Sequence, residues 1–164
     1  MSDFLARSAA VALLVTSVLV GWGSGTGPLA TGTAQAEEAM VVQRGTEGLS
    51  PVPFRVANQS DQAIVCAAAT AHWYSIEIGR AQPNTELVET IWSKPATGEV
   101  FALNTHEDHM PIQTLWCGLA GADVSTRTEI RLERKIGVKE PAISLTCTSD
   151  PAAHRLACRR LGAE

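Results

Sequence analysis

The stretch from Ser144 to Arg159, SLTCTSDPAAHRLACR, decides the fold class of this chain. Leu145 and Cys147 alternate with polar residues before the SDPAAH segment, and Leu156 and Cys158 alternate in the same way after it. Such alternation on both sides of a Ser/Asp/Pro turn is typical of a β-hairpin. Facing cysteines on the two arms would lie close enough to form a disulfide. The stretch therefore predicts a hairpin closed by a Cys147–Cys158 bond.

The chain contains four cysteines, which are Cys66, Cys117, Cys147 and Cys158. An even number of cysteines in an exported domain most simply forms two disulfides. Sequence alone permits three pairings, and the hairpin favours Cys147–Cys158, which leaves Cys66 to pair with Cys117. The alternative is a zinc site with four thiolate ligands, which is disfavoured because the chain has no C-x-x-C pair.

The first 36 residues have the features of an export signal. Ser8 to Trp22 is an apolar run that follows Arg7, and the AQA triplet at 34–36 matches the small-x-small pattern that a signal peptidase cuts. The run is shorter than the roughly 20 apolar residues of a comfortable membrane span, although an uncleaved anchor is the alternative. We therefore predict a signal peptide at 1–36. The mature protein is then periplasmic or secreted, with no stable membrane insertion after cleavage.

The remaining chain is long enough for a single domain. Residues 37–51 are polar and contain Gly and Pro, so we expect a flexible lead-in, followed by one β domain over 52–164. Thr126 to Arg134 alternates as a strand does, whereas Ala63 to Gly79 fits one long strand or two strands joined by a bulge, with an alanine-rich helix as the alternative. Short recurring strands without a convincing helix predict a small, mostly antiparallel, all-β sandwich.

An immunoglobulin-like arrangement is one version of this sandwich. In that version the Cys66–Cys117 bond would join the two sheets across the core. Two features depart from the immunoglobulin pattern: Trp73 follows the first cysteine too closely, and Leu115 occupies the place of the tyrosine corner. The resemblance is therefore one of architecture alone.

The charge balance disfavours two classes of partner. The formal net charge is −4, and removal of the signal leaves it unchanged because Asp3 and Arg7 are lost together. Nucleic-acid binding depends on clustered Lys and Arg that neutralise phosphates, so we expect no nucleic-acid partner. A polybasic membrane-surface protein is disfavoured for the same reason.

The segment from Thr105 to Met110 is the densest cluster of possible metal ligands. Imidazole suits copper and zinc and thioether suits Cu(I), so His106, His109 and Met110 predict a copper or zinc site, with His72 as a further ligand. The H-x-x-H spacing differs from the H-E-x-x-H of zinc proteases. The alternative is a solvated acidic turn in which Met110 begins the next strand and packs against the core.

Two aromatic residues are candidates for a binding surface. Tyr74 closes the His72-Trp73-Tyr74 triplet, and Trp92 lies on a later predicted strand. Aromatic side chains provide a large contact area and, in Tyr and Trp, a polar group. The alternative for both residues is a place in the core, with their polar atoms hydrogen-bonded nearby.

Catalytic motifs are missing from the sequence of the predicted mature chain. It contains no G-x-S-x-G elbow and no phosphate-binding glycine loop, and paired cysteines leave no thiol nucleophile. We therefore expect a non-enzymatic binding or accessory domain without a cofactor, which recognises a protein, a peptide or a cell-envelope component. The alternatives are a periplasmic copper- or zinc-binding protein and a small hydrolase or hydrolase inhibitor that uses the 105–110 loop.

Overall fold

The structure is a computed structural model that describes residues 42–71 and 74–162. The predicted signal peptide, His72 and Trp73 lie outside the described residues. The described residues form nine strands and no α-helix, which confirms the all-β prediction. The strands are β1 (Ser50–Asn58), β2 (Ile64–Thr70), β3 (Ser75–Ala81), β4 (Glu86–Lys94), β5 (Glu99–Leu103), β6 (His109–Leu119), β7 (Thr128–Ile130), β8 (Ile143–Asp150) and β9 (Arg155–Arg160).

The nine strands form one mixed sheet. Its order is β3-β2-β6-β5-β4-β1-β8-β9, and β7 pairs with β6 beside this path. Within the described ranges every pair of strands is antiparallel except β1 with β8, which is parallel. The prediction of a mostly antiparallel protein is therefore confirmed, with one parallel pair that local sequence patterns did not indicate.

Strand β6 connects two parts of the sheet, one that contains β5 and one that contains β2. Its first residues, His109 to Pro111, pair with β5, whereas Ile112 and the residues after it pair with β2. The sheet folds over itself at this point, so that β3 lies against β4 and the later part of β6 lies against β9. The alternate side chains that face inward form the core, as Phe54 and Ile91 do with no exposed surface.

Both predicted disulfides are present, Cys66–Cys117 and Cys147–Cys158. Cys147 faces Cys158 across the β8–β9 hairpin, as the sequence predicts. Cys66 faces Cys117 on the neighbouring strands β2 and β6. The immunoglobulin-type expectation that Cys66–Cys117 bridges two sheets is therefore wrong, because the bond lies between adjacent strands of one layer.

Two predicted strands differ from the observed ones. The chain reverses between Thr70 and Ser75, where the Thr70 amide donates to the Tyr74 carbonyl at 2.8 Å, so the 63–79 segment is a hairpin rather than one long strand. The predicted strand over 126–134 is reduced to β7. Its end is pulled out of the sheet because the Glu140 carboxylate accepts hydrogen bonds from the amides that follow Leu132.

The folded domain begins before the predicted boundary at Val52. Residues 42–49, which we call the N-terminal strap, pair with the start of β6 and the turn before it. The His109 amide donates to the Gln43 carbonyl at 2.9 Å, and the Gly45 amide donates to the Glu107 carbonyl at 3.0 Å. The described part of the predicted lead-in is thus attached to the sheet rather than free of it.

Candidate functional site

A groove of about 550 Å³ lies where the N-terminal strap, the β2–β3 turn and the start of β6 meet. Its apolar side chains belong mainly to Val42, Tyr74, Phe101, Met110 and Pro111. The Tyr74 side chain is 67 % exposed, which is unusual for a large aromatic residue on a small domain. We call this site the Tyr74 groove, and its volume lies within the range of about 300–1,000 Å³ that is usual for ligand pockets.

The floor of the Tyr74 groove is a row of side chains across the outer face of the sheet. Phe101 on β5 faces Pro111 on β6 and Trp92 on β4. Only 4 % of Phe101 is exposed, because the His109 ring lies 5.2 Å from it and the strap lies close by. Trp92 is half-buried next to Phe101 and does not line the groove. Of the two predicted binding-surface residues, the structure therefore places only Tyr74 in the groove.

His109 connects the groove to the strap. Its Nε2 atom lies 2.7 Å from the Gly45 carbonyl oxygen, and because that oxygen can only accept, Nε2 carries the proton. Its Nδ1 atom is buried and has no hydrogen-bond partner among the described residues. Both ring nitrogens are therefore enclosed, and the side chain acts in this arrangement as a link between β6 and the strap.

Asp108 has a similar structural role on the turn before β6. Its carboxylate accepts a 2.9 Å hydrogen bond from the Asn104 amide group and forms an ion pair with Arg44 of the strap. These two contacts, Asn104 first, lower the pKa of Asp108. The Asn104 side-chain oxygen also accepts from the backbone amides of His106 and Asp108, at 2.8 and 2.9 Å, which closes the turn.

The structure places the predicted metal ligands of the 105–110 loop in two different locations. His109 and Met110 line the Tyr74 groove, whereas His106 is exposed on the turn and does not line it. Within residues 42–71 and 74–162, no three His, Cys, Asp or Glu side chains are grouped so that they could hold a metal ion. Copper or zinc binding through His106, His109, Met110 and His72 stays a prediction; with Nε2 bonded to Gly45, Nδ1 is the His109 nitrogen that could bind a metal, and this atom is buried.

The rim of the Tyr74 groove is polar, and positive and negative side chains lie on neighbouring strands there. Lys94 on β4 faces Glu99 on β5, and the Lys94 ammonium also lies 3.2 Å from the Gln43 side-chain oxygen. Asp108 completes the rim, and its ion pair with Arg44 offsets its charge. An apolar floor with a neutral polar rim suits a ligand that combines an apolar group with hydrogen-bonding amides.

Sequence reasoning missed most of this site. Val42 and Phe101 were not among the predicted residues, because the groove assembles segments that are far apart in the chain and the strap was assigned to a lead-in. The one available signal was Phe101 itself, since it alternates with Val100 and Ala102 and so lies on the opposite face of β5. Met110 was identified, but for its sulfur rather than for its apolar surface.

Comparisons with protein-family models, with curated proteins and with solved structures found no match to this chain. The two disulfides indicate an oxidising environment such as that of exported proteins. In the described portion of the chain, we find no helix with the length and apolar character required to cross a membrane. Function is therefore inferred from the residues of the Tyr74 groove.

Proposed function

We propose that this chain is an exported, non-enzymatic binding domain of the periplasm or the secreted fraction, and that its Tyr74 groove holds an apolar side chain of a polypeptide partner. The observation that carries the proposal is the 67 % exposure of Tyr74 above a floor formed by Phe101, Met110 and Pro111. Aromatic residues of this kind are the commonest energetic anchors of protein interfaces. An exposed Tyr beside an open apolar floor is the arrangement that such an anchor requires.

A polypeptide fits the groove better than a charged envelope polymer does. Lys94 and Glu99 oppose each other on the rim, so their charges offset and neither a polyanion nor a polycation gains from binding there. The Gln43 side-chain amide offers hydrogen bonds to peptide groups. Met110 has a flexible thioether that adapts to side chains of different shape.

The scaffold holds the groove in a fixed shape. The Cys66–Cys117 disulfide joins β2 and β6, the two strands that supply Thr70 and Met110 to the groove walls. A preorganised site loses less conformational entropy when its ligand binds, which raises affinity. The proposed partner therefore binds to a surface that is already formed.

Peptide selection tests the proposal. Random peptides displayed on phage are selected on the disulfide-intact protein purified after export, and the enriched sequences are synthesised and measured by calorimetry. We expect Tyr74→Ser to weaken binding by roughly tenfold or more, because truncating an aromatic anchor typically costs over 1 kcal/mol. The matched control is Ile136→Ser, since Ile136 is 76 % exposed and lies outside the groove.

Both variants replace exposed side chains, so both should unfold at the wild-type temperature. Enriched peptides that bind Tyr74→Ser as tightly as the wild type would show that the ligand site lies elsewhere. Failure to enrich any peptide that needs an apolar residue would contradict the proposal as a whole.

A further inference from the structure

Strand β3 ends the sheet and leaves one backbone edge unpaired. It pairs with β2 on one side only, and among the described residues no other strand pairs with it. From the residues that the structure describes, the only further hydrogen bond to its backbone is a 3.3 Å contact from the Asn58 amide group to the Ala81 carbonyl, at the end of the strand. The outward N–H and C=O groups from Ser75 to Arg80 are therefore available to another extended segment.

A second groove runs beside this edge. It measures about 370 Å³ and lies between β3 on one side and β4 and β5 on the other. We call it the β3–β5 groove. Ile76, Ile78, Leu103 and Met110 line it and are each only half-buried. Met110 also lines the Tyr74 groove, and Tyr74 directly precedes β3, so the two grooves adjoin each other along the chain.

The β3–β5 groove is acidic. Glu77 and Glu89 line it, and no Lys or Arg does. Arg80 forms a bidentate ion pair with Glu77 at 2.6 and 2.7 Å, and this contact lowers the pKa of Glu77. Glu89 forms no ion pair with any described residue. The charge complement of this groove is therefore a basic side chain.

We propose that the free edge of β3 accepts an extended, basic segment of the partner as an additional strand. Backbone hydrogen bonds to β3 would supply affinity, and alternate side chains, which share one face of the segment, would enter the β3–β5 groove. One of these groove-facing side chains is apolar, another is a Lys or Arg that pairs with Glu89, and an apolar residue at the end of the segment occupies the Tyr74 groove. The inference rests on the proposed function and names the partner class and the mode of binding.

Two features of β3 limit which segments can pair with it. Cys66 faces Gly79 and Ala67 faces Glu77, so Ile78 is the extra residue of a β-bulge. The Glu77–Arg80 ion pair also places charges on the edge strand. Bulges and edge charges oppose indiscriminate pairing with other sheets. The bulge and the ion pair therefore restrict pairing to a short segment of complementary charge.

The probe is the peptide acetyl-Lys-Ile-Lys-Lys-Lys-Phe-amide, in which Ile, the Lys at the fourth position and Phe share one face. It is compared with two derivatives that are N-methylated on alternate amides of one edge or of the other. N-methylation removes hydrogen-bond donors and leaves the side chains unchanged. We expect one derivative to bind roughly tenfold or more weakly and the other to bind like the parent, because only one peptide edge faces β3. We also expect slower hydrogen exchange at the β3 amides when the parent peptide is bound.

The proposed role of the Glu89 charge is tested by substitutions in the protein. Glu89→Lys should weaken binding of the peptide by roughly tenfold, because it places like charges opposite each other. Glu129→Lys is the matched control, since Glu129 is also an exposed strand carboxylate and does not line the β3–β5 groove. Equal binding by the two variants would overturn the role of Glu89.

The outcomes separate this inference from the proposed function. Binding that depends on Tyr74 but leaves the β3 amides unprotected, or that tolerates N-methylation on both edges, overturns strand addition and leaves the Tyr74 groove as the ligand site. Failure of this basic peptide to bind, while phage-selected peptides bind in the Tyr74 groove, overturns it as well. If no peptide responds to Tyr74→Ser, the proposed function itself is wrong.

Discussion

The two edges of the sheet, β9 and β3, are treated differently by this fold. The edge of β9 is covered, because the Leu156 amide donates to the Thr126 carbonyl at 2.8 Å and the Thr128 hydroxyl donates to the Leu156 carbonyl. The Arg160 guanidinium extends the cover by donating to the Arg131 carbonyl at 2.7 Å. The edge of β3 has no such cover within the described residues. The protein therefore closes the β9 edge and leaves open the β3 edge, which borders the β3–β5 groove and adjoins the Tyr74 groove.

The charged side chains near the β9 edge also differ from those near the β3 edge. The covered edge and the segment over it carry a clear excess of bases, whereas β3 and β4 carry one more acid than bases. The covered side has Arg127, Arg131, Arg134, Lys135, Arg155, Arg159 and Arg160 against Glu129 and Glu133, and the open side has Glu77, Glu86 and Glu89 against Arg80 and Lys94. Such a separation orients an approaching charged partner, and it directs a basic segment toward the open edge.

The largest expected effect comes from removing the two disulfides one at a time. Cys66–Cys117 spans 51 residues and Cys147–Cys158 spans 11. On the chain-entropy model, the double Cys→Ala variants should lose about 4 and about 3 kcal/mol of unfolding free energy, respectively. Urea denaturation measures both values. A larger loss at Cys147–Cys158 would mean that the covered edge depends on its disulfide more than loop length predicts.

The covered edge is best tested at Glu140, which is only 3 % exposed. Its carboxylate accepts 2.7 and 2.9 Å hydrogen bonds from the amides of Glu133 and Arg134, which keeps the segment after β7 folded over the sheet. Glu140→Gln turns one acceptor into a donor facing an N–H group. We expect it to lower the unfolding free energy by about 2 kcal/mol, measured in urea.

The control for Glu140 is Glu133→Gln, on the same segment. Glu133 is exposed and its charged partner Lys135, at 2.7 Å, lies on the surface, so removing this ion pair should change stability little. Equal effects of the two substitutions would show that the buried carboxylate does not organise the segment. Faster hydrogen exchange at the Leu156 amide in Glu140→Gln would connect the loss to the cover of β9.

The sequence was sufficient for the parts of the fold that depend on neighbouring residues. The Cys147–Cys158 hairpin was predicted because its two arms and its turn lie within one short stretch. The parallel pairing of β1 with β8 was not, because it joins segments separated by most of the domain. Most of the Tyr74 groove was missed for the same reason, since Val42 and Phe101 meet Met110 only after the distant segments of the sheet have paired.

The 105–110 loop shows a second limit of sequence reasoning. Its residue types indicated metal ligands, and residue type alone does not reveal which polar groups the fold already uses. Asp108 pairs with Arg44 and Asn104, and the His109 ring contacts the Gly45 carbonyl. Both partners on the strap lie far away in the sequence, so these structural roles were not visible before the chain was folded.

The smallest expected effect is a change in the pH dependence of stability at Asp108, which lines the Tyr74 groove. The folded pKa of Asp108 lies below its usual value of about 3.9, because Asn104 and Arg44 favour the ionised carboxylate. A lowered pKa stabilises the folded state fully above the unfolded pKa, and this contribution is lost as pH falls through the folded pKa. Wild-type protein should therefore lose stability below about pH 4, and Asp108→Asn should lack this part of the loss.

Urea denaturation from pH 7 to pH 2.5 measures the difference between the two proteins, which should be largest near neutral pH and vanish in acid. Glu107→Gln is the control, because it removes the neighbouring carboxylate, which makes no hydrogen bond or ion pair with the described residues. Asp108→Asn should also speed hydrogen exchange at the Gly45 amide, which bonds to the Glu107 carbonyl. Unchanged exchange there would mean that the strap is held by backbone pairing and His109 alone, and that the wall of the Tyr74 groove does not depend on the Arg44–Asp108 ion pair.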